Sequence, residues 1–356
     1  MAKRNTRGRG VTIGLDLGDK WSEGAVLDAR GGLLERARVR TTQKGFAQAF
    51  TGYEGARLVL EVGTHSPWAS RSFAARGFEV IVANPRRTRL IAESDKKNDR
   101  FDAEQLARLG RIDPDLLSPI VHRGEEAQRD RILLLSRAGM VRARTQLINQ
   151  ARGFAKSLGT RLPSSSSEVF AKRVRAAVSE DLFPGLSTML GMIEQLTQEI
   201  RTMDREVERL CRDRYPETAL LRQVSGVGPQ TALAFVLTLE DPWRFAKSRS
   251  VGAYLGLRPR HRDSGGQRPQ LRITKAGDVL LRCLLVSAAQ YILGPFGPDT
   301  DLRRFGLRLA EHGGKSAKKR AAVAVARKLS VLLHRLWVTG EEYEPIGYGE
   351  RHEQAA

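Results

Sequence analysis

From Val11 onwards apolar and polar residues alternate in VTIGLDLG. The alternation returns in WSEGAVLD and, after the turn ARGG, in LLERARVRT. Period-two runs joined by short turns predict three antiparallel strands. The pattern then changes. A helix is predicted over Lys44 to Tyr53, RLVLEVG reads as a buried strand, SPWASRSFAARG as a helix, FEVIVAN as another strand and DRFDAEQLARLGR as a helix. Three strands followed by alternating helices and strands describe a mixed-sheet α/β domain over residues 11–125, preceded by a basic tail, residues 1–10.

Residues 126–214 read as helical. A long arginine-rich helix, EEAQRDRILLLSRAGMVRARTQLINQARGFAKSLG, is interrupted by the loop RLPSSSSEV. Beyond DLFPG the apolar positions Met189, Ile193, Leu196, Ile200, Met203, Val207 and Leu210 step by four and three in turn. This heptad seam predicts a coiled coil or a helical hairpin, and the seam alone does not count chains. Residues 215–345 form a third, mainly helical and strongly basic region, with a further helix predicted over KSAKKRAAVAVARKLSVLLHRLW; residues 346–356 read as a tail.

Charge narrows the class of partner. Lys and Arg total 60 against 40 Asp and Glu, a formal net charge of +20. Such an excess favours a polyanion. No run approaches the roughly 20 apolar residues of a spanning helix, so nucleic acid is favoured over a membrane. The two cysteines, Cys211 and Cys283, exclude a disulfide framework and a cysteine-rich zinc site. The N-terminus MAKRNTRGRG lacks the apolar stretch of a secretory signal, so the expected location is the cytoplasm, in association with the nucleoid.

The chemistry begins with carboxylates. Asp16 lies on the first predicted strand, and Glu61 ends an otherwise apolar one. Burying a carboxylate there costs several kcal/mol unless it is paired or binds a cation. Asp99 and Asp102 stand three apart at the start of a helix and share a face. Four carboxylates on two strands and a helix suit hard divalent ions such as Mg2+. Two such ions would clamp the attacking and leaving oxygens of a phosphodiester. Each acid also has a plain structural reading: the aspartate pair favours a helix N-terminus, and Asp16 supports a turn.

In their order these features resemble a RuvC-type member of the ribonuclease-H-like fold, whose DEDD metal site would be Asp16, Glu61, Asp99 and Asp102. IGLDLG also resembles the first phosphate loop of actin-like kinases. The second phosphate loop and the adenosine motif of those enzymes are not found here, and the positive charge suits nucleic acid better.

The basic region holds two further motifs. LRQVSGVGPQTALAFVLTL sets Gly226 and Gly228 between apolar helical stretches, which resembles a helix-hairpin-helix with backbone N–H groups open to a phosphate. RPRHRDSGGQRPQLRITK surrounds Ser264, Gly265 and Gly266 with Arg258, Arg260, Arg262, Arg268 and Arg272, and ends at Lys275. Ser264 reads either as a polar hinge in a DNA-binding loop or as a reacting hydroxyl. The run GVGPQTA, AYLGLRP, DSGG and ITKAGDVLLRCLL resembles the C-terminal domain of the "IS one-ten" family of insertion-sequence DEDD transposases, which are bridge-RNA-guided recombinases. The likeness covers nearly the whole chain.

That resemblance implies a transposase that cuts and rejoins its element DNA and target DNA. It implies a covalent link to Ser264, a metal site with two Mg2+, a structured guide RNA, and a dimer that becomes a tetramer on DNA. The family often has a second serine where Asp263 stands. The role of Asp263 and that of neighbouring His261 stay open. A metal-dependent junction nuclease without covalent chemistry is the alternative enzyme, and a non-catalytic nucleic-acid-binding protein is the alternative outside enzymes. Because phosphate neutralisation releases counterions, affinity for DNA is expected to fall by about a thousandfold or more between 50 and 200 mM salt. A binding isotherm at each salt concentration checks this, and near-constant affinity would refute the polyanion assignment.

Overall fold

The computed structural model describes residues 10–85, 99–177, 184–260, 271–311 and 313–347, with the backbone alone for Asp99, Arg100 and Lys315. The chain divides into two compact units, Met1–Arg123 and Gly124–Ala356. Among the described residues no helix is long and apolar enough to cross a membrane.

The first unit is built on a five-stranded sheet of order β3-β2-β1-β4-β5. Its strands are β1 (Thr12–Asp16), β2 (Trp21–Leu27), β3 (Leu33–Arg40), β4 (Arg57–Glu61) and β5 (Glu79–Ala83). The first three pair antiparallel, whereas β4 and β5 run parallel to β1. The predicted mixed α/β sheet is therefore present. One face carries Ile13, Leu15, Leu58 and Leu60 against an aromatic cluster that includes Phe46, Phe50 and Phe73. Those rings come from α1 (Gln43–Ala49), its C-cap and α2 (Ser66–Ala75). The predicted first helix stops early, at Ala49, because Gly52 turns the chain with φ +90° before β4.

The other face is covered by α3 (Asp99–Ile112). A side chain at Gly14 would put its Cβ 1.9 Å from the Ala103 carbonyl oxygen and 2.6 Å from the Ala107 nitrogen. The helix backbone thus lies directly on β1. Two turns later Gly110 meets Val59, and Arg57 Nη1 donates to the Gly110 carbonyl at 2.9 Å. These contacts give α3 its direction. It runs antiparallel to β1 and β4, with its first turn toward the ends of those strands that carry Asp16 and Glu61.

In the second unit, α4 (Glu125–Ser157) and α6 (Pro184–Asp213) form an antiparallel hairpin, with the short α5 (Phe170–Ala177) beside its far end. Arg137 grips Asp204 at 2.5 and 3.2 Å, and Arg144 donates to Thr197 at 3.3 Å. The heptad pattern is thus used within the chain. The buried stripe of α6 is Leu186, Leu190, Ile193, Thr197, Ile200 and Val207, while Met189, Leu196 and Met203 stay half-buried on its flank.

The rest of the unit surrounds α8 (Pro229–Leu239), in which every residue from Thr231 to Leu239 is buried. Short α7 (Thr218–Leu221) precedes it. Around it pack α9 (Arg249–Tyr254), α10 (Val279–Leu293), α11 (Asp301–Glu311) and α12 (Gly314–Thr339). The basic helix predicted near the C-terminus is α12, which buries Val325, Leu329, Leu333 and Leu336 and exposes Lys318, Lys319 and Arg320.

A methyl group at Gly14 must push against helix backbone, which cannot rotate aside. Gly14→Ala is therefore expected to destabilise the first unit by about 3 kcal/mol, the upper end of ordinary overpacking. Denaturant unfolding of the full chain checks this, and an unchanged transition would contradict the close approach of α3.

Candidate active site

The sheet register aligns the predicted acids. Asp16 pairs with Glu23 on β2, and Glu23 pairs with Arg38 on β3. On the other side β1 and β4 are paired through Leu15 and Leu60, so Asp16 and Glu61 are the next residues of the two parallel strands. Directly opposed residues point to one face of a sheet, and so do residues two apart on a strand. Arg38, Glu23, Asp16 and Glu61 therefore form a row across the face that also holds Gly14 and Val59 under α3. Asp16, Glu23 and Glu61 are half-buried. Asp99 and half-buried Asp102 lie in the first turn of α3, at the same end.

The turns leaving β1 and β4 add further groups to this end. The Trp68 indole N–H donates to His65 Nδ1 at 3.0 Å, so the neutral ring carries its proton on Nε2, which stands 3.7 Å from the Asp19 carboxylate. Ser66 donates its hydroxyl to the Gly63 carbonyl at 2.8 Å and lies 2.9 Å from His122 Nε2. Burial, followed by the charges of Arg71 and Arg123, holds the His122 imidazole below its usual pKa. Further along α3, Glu104 bonds to Arg36 at 2.7 Å and to Arg108, and these two guanidinium groups keep its pKa low.

Among the described residues no three His, Cys, Asp or Glu side chains stand close enough together to hold a metal ion. The Asp99 side chain lies outside the described residues. The four predicted ligands, Asp16, Glu61, Asp99 and Asp102, offer only carboxylate oxygens, the chemistry that magnesium prefers.

The second unit holds the base of the predicted serine loop. Ser264 lies outside the described residues, as do His261, Arg262, Asp263, Gly265, Gly266 and Arg268. The two ends of the segment are described and are tied together. Arg260 N–H donates to the Arg272 carbonyl at 3.0 Å, Thr274 N–H to that of Arg258 at 2.9 Å, and Lys275 N–H to that of Gly256 at 3.0 Å. Gly256 and Gly277 both have left-handed φ, +70° and +69°. A Cβ on Gly256 would lie 2.3 Å from Ala276 backbone, and one on Gly277 would lie 2.2 Å from the Tyr254 carbonyl oxygen. The exposed cations Arg258, Arg260, Arg272 and Lys275 all sit on this base.

A buried guanidinium closes the base from beneath. Arg282 Nη1 donates to the carbonyls of Leu255 at 3.1 Å and Ala276 at 2.6 Å, one from each end of the loop. The neighbouring Asp278 caps α10 by accepting from Leu281 N–H at 2.9 Å, and it pairs with Arg131 of α4. The two glycines of the helix-hairpin-helix motif separate in role. Gly226 has φ +88°, and a Cβ there would touch Ala288 and Tyr291 of α10, so it is held by packing. Gly228 precedes α8 with open space beside it and leaves the helix N-terminus accessible.

Both units match known families. Residues 13–158 match a DEDD transposase family of the IS110 type, and residues 218–300 match the family described as transposase IS116/IS110/IS902. The chain belongs to this transposase family. Its relatives include the transposase for insertion sequence element IS1111A of Coxiella burnetii, 27% identical over 93% of this chain and 90% of that protein. The transposase for insertion sequence element IS1328 of Yersinia enterocolitica is 29% identical over 78% of this chain and 82% of that protein. A pilin gene-inverting protein of Moraxella bovis is 30% identical over 31% of this chain and 34% of that protein. As an insertion-sequence transposase of the IS110 family, the protein is an enzyme that acts on DNA.

Sequence reading missed Glu23 and Arg282. Glu23 is an acid in a strand of mostly small and apolar residues, and counting back from the hairpin turn sets it opposite Asp16. Arg282 looks like any other cation in ITKAGDVLLRCLL. Only its burial reveals a structural donor. Replacing it with methionine leaves buried carbonyls without a partner, at a cost of about 3 kcal/mol. Arg282→Met is expected to unfold at lower denaturant concentration and to be cut faster by protease between residues 258 and 275. Unchanged cutting there would show that Arg282 does not hold the loop base.

Proposed function

We propose that this transposase cuts and rejoins DNA through a covalent serine intermediate formed at a metal-dependent DEDD site. The observation that carries the reading is the alignment of Asp16 and Glu61 on adjacent parallel strands, with the first turn of α3 at the same end. Asp16, Glu61, Asp99 and Asp102 are the residues that would hold divalent ions, with phosphate oxygens completing the ligand set. Bound there, magnesium would withdraw charge from the scissile phosphate and stabilise the leaving oxygen.

Ser264 supplies the nucleophile in this reading. Its Oγ loses a proton and bonds to phosphorus, and the bond from phosphorus to a sugar oxygen breaks, releasing a strand with a free hydroxyl. Attack by the hydroxyl of a second strand reverses these events and restores the serine. The bond energy is kept in the phosphoserine, so rejoining needs no other energy source. Arg258, Arg260 and Arg272 on the loop base, with Arg262 and Arg268, would neutralise phosphate charge. Gly228, Gly265, Gly266 and Lys275 would allow or add backbone contacts. The gene-inverting relative supports rejoining over simple cutting.

Target choice by a structured guide RNA follows from the family resemblance, as does assembly of a dimer into a tetramer on DNA. Leu196 and Met203, half-buried apolar residues on the flank of α6, support association between copies.

The test is a denaturing gel of the full chain with magnesium, its flanking RNA and cognate DNA, beside Ser264→Ala and Asp16→Asn. A DNA adduct mapped to a peptide containing Ser264, absent in both variants, is expected. Cutting without an adduct that persists in Ser264→Ala would instead make the protein a metal-dependent nuclease.

A further inference from the structure

The row of residues that ends at Glu61 begins at the edge of the sheet with exposed cations and one exposed indole. Trp21 opens β2 and remains 41% exposed, unusual for so large a ring at the start of a strand with a buried interior. Its cross-strand partner is Arg40, whose guanidinium lies 4.7 Å from the ring centroid, and that of Arg38 lies 5.3 Å away. Lys20, next to Trp21 and exposed, adds a third positive charge. Arg38 also reaches Glu23 at 3.4 Å. Among the described residues neither Lys20 nor Arg40 has a carboxylate partner.

Register decides where this group faces. Trp21, Glu23 and Ala25 alternate on β2, so Trp21 is on the face that carries Glu23, Asp16 and Glu61. It also lies beyond the last residue of β1, at the end of the sheet where the acids gather. One strand spacing across and two residues along separate the Cα atoms of Trp21 and Asp16 by roughly 8 Å, about two steps of a stacked nucleic-acid strand. Both guanidinium groups lie over the indole, and an unpaired base that stacks on the ring takes their place while they turn to its phosphates. A duplex offers no free base face to such a ring.

We infer that Trp21, with Lys20, Arg38 and Arg40, is a stacking platform that receives an unpaired base of the DNA strand next to the phosphate cut at the carboxylate row. This rests on the carboxylate row being the cutting site. The alternative use of the same residues, cation–π cover for an edge strand, predicts no effect on DNA binding.

The experiment measures binding of the full chain to a short labelled oligothymidine DNA in EDTA, where no cutting occurs. A same-length DNA with one abasic position, and an RNA of the same sequence, are measured alongside. Base-dependent quenching of tryptophan emission is expected in the wild type and is expected to vanish in Trp21→Phe, which leaves Trp68, Trp243 and Trp337 in place. Affinity for the intact DNA is expected to drop about tenfold in Trp21→Ala and in Trp21→Leu. Trp21→Leu keeps apolar bulk on the strand, so a loss shared by both variants is not one of folding. Their affinity for the abasic DNA should match the wild type. Equal binding of all probes by wild type and variants would overturn the platform, as would an effect confined to the RNA. The assay needs neither cleavage nor metal. A failed adduct experiment would therefore count against the cutting site and leave the platform to be judged by binding alone.

Discussion

The close approach of α3 to β1 at Gly14 is the contact on which the first unit depends. With no side chain between them, the helix backbone rests on the strand, and the contact of Gly110 with Val59 sets the helix direction. A helix laid that way delivers its first turn to the strand ends that bear Asp16 and Glu61. Were α3 to run the other way, Asp99 and Asp102 would lie some 20 Å from the strand carboxylates, at 1.5 Å per residue over a 14-residue helix. The placement of the first turn of α3 at the acid-bearing strand ends is thus a consequence of packing two glycines.

The second unit uses a different device for a related purpose. The predicted serine segment, residues 261–270, lies between two described ends. Its ends are held by backbone pairing, by two left-handed glycines and by a buried Arg282 that bonds a carbonyl from each side. The pairing of Asp278 with Arg131 then ties this base to the long helix of the hairpin.

The face of the sheet under α3 shows how one register serves two chemistries. Arg38, Glu23, Asp16 and Glu61 pass from positive to negative charge across four strands, and Trp21 stands beside the boundary. Half-buried carboxylates in such a row are costly to leave without counter-charge. Arg38 meets part of that need at Glu23.

Much of this was readable in the chain. Alternation in VTIGLDLG, WSEGAVLD and LLERARVRT determined three strands, and 3.6-residue periodicity determined the helices, because both patterns record which side of an element is kept from water. Positive charge and the acids on strands pointed to nucleic acid and to carboxylate chemistry. The serine loop was found from its neighbours in sequence rather than from any pattern of burial. The first helix was overextended because the turn at Gly52 leaves no mark on periodicity. The heptad seam of α6 was compatible with a partner chain or with its own, and the antiparallel α4 took it. Register, helix direction and the fate of single cations were decided only by tertiary structure. They depend on contacts between residues far apart in the chain, such as Gly14 with Ala103, Glu23 with Asp16, and Arg282 with Leu255. A linear pattern records the burial of one residue and carries no information about which distant backbone comes to lie against it.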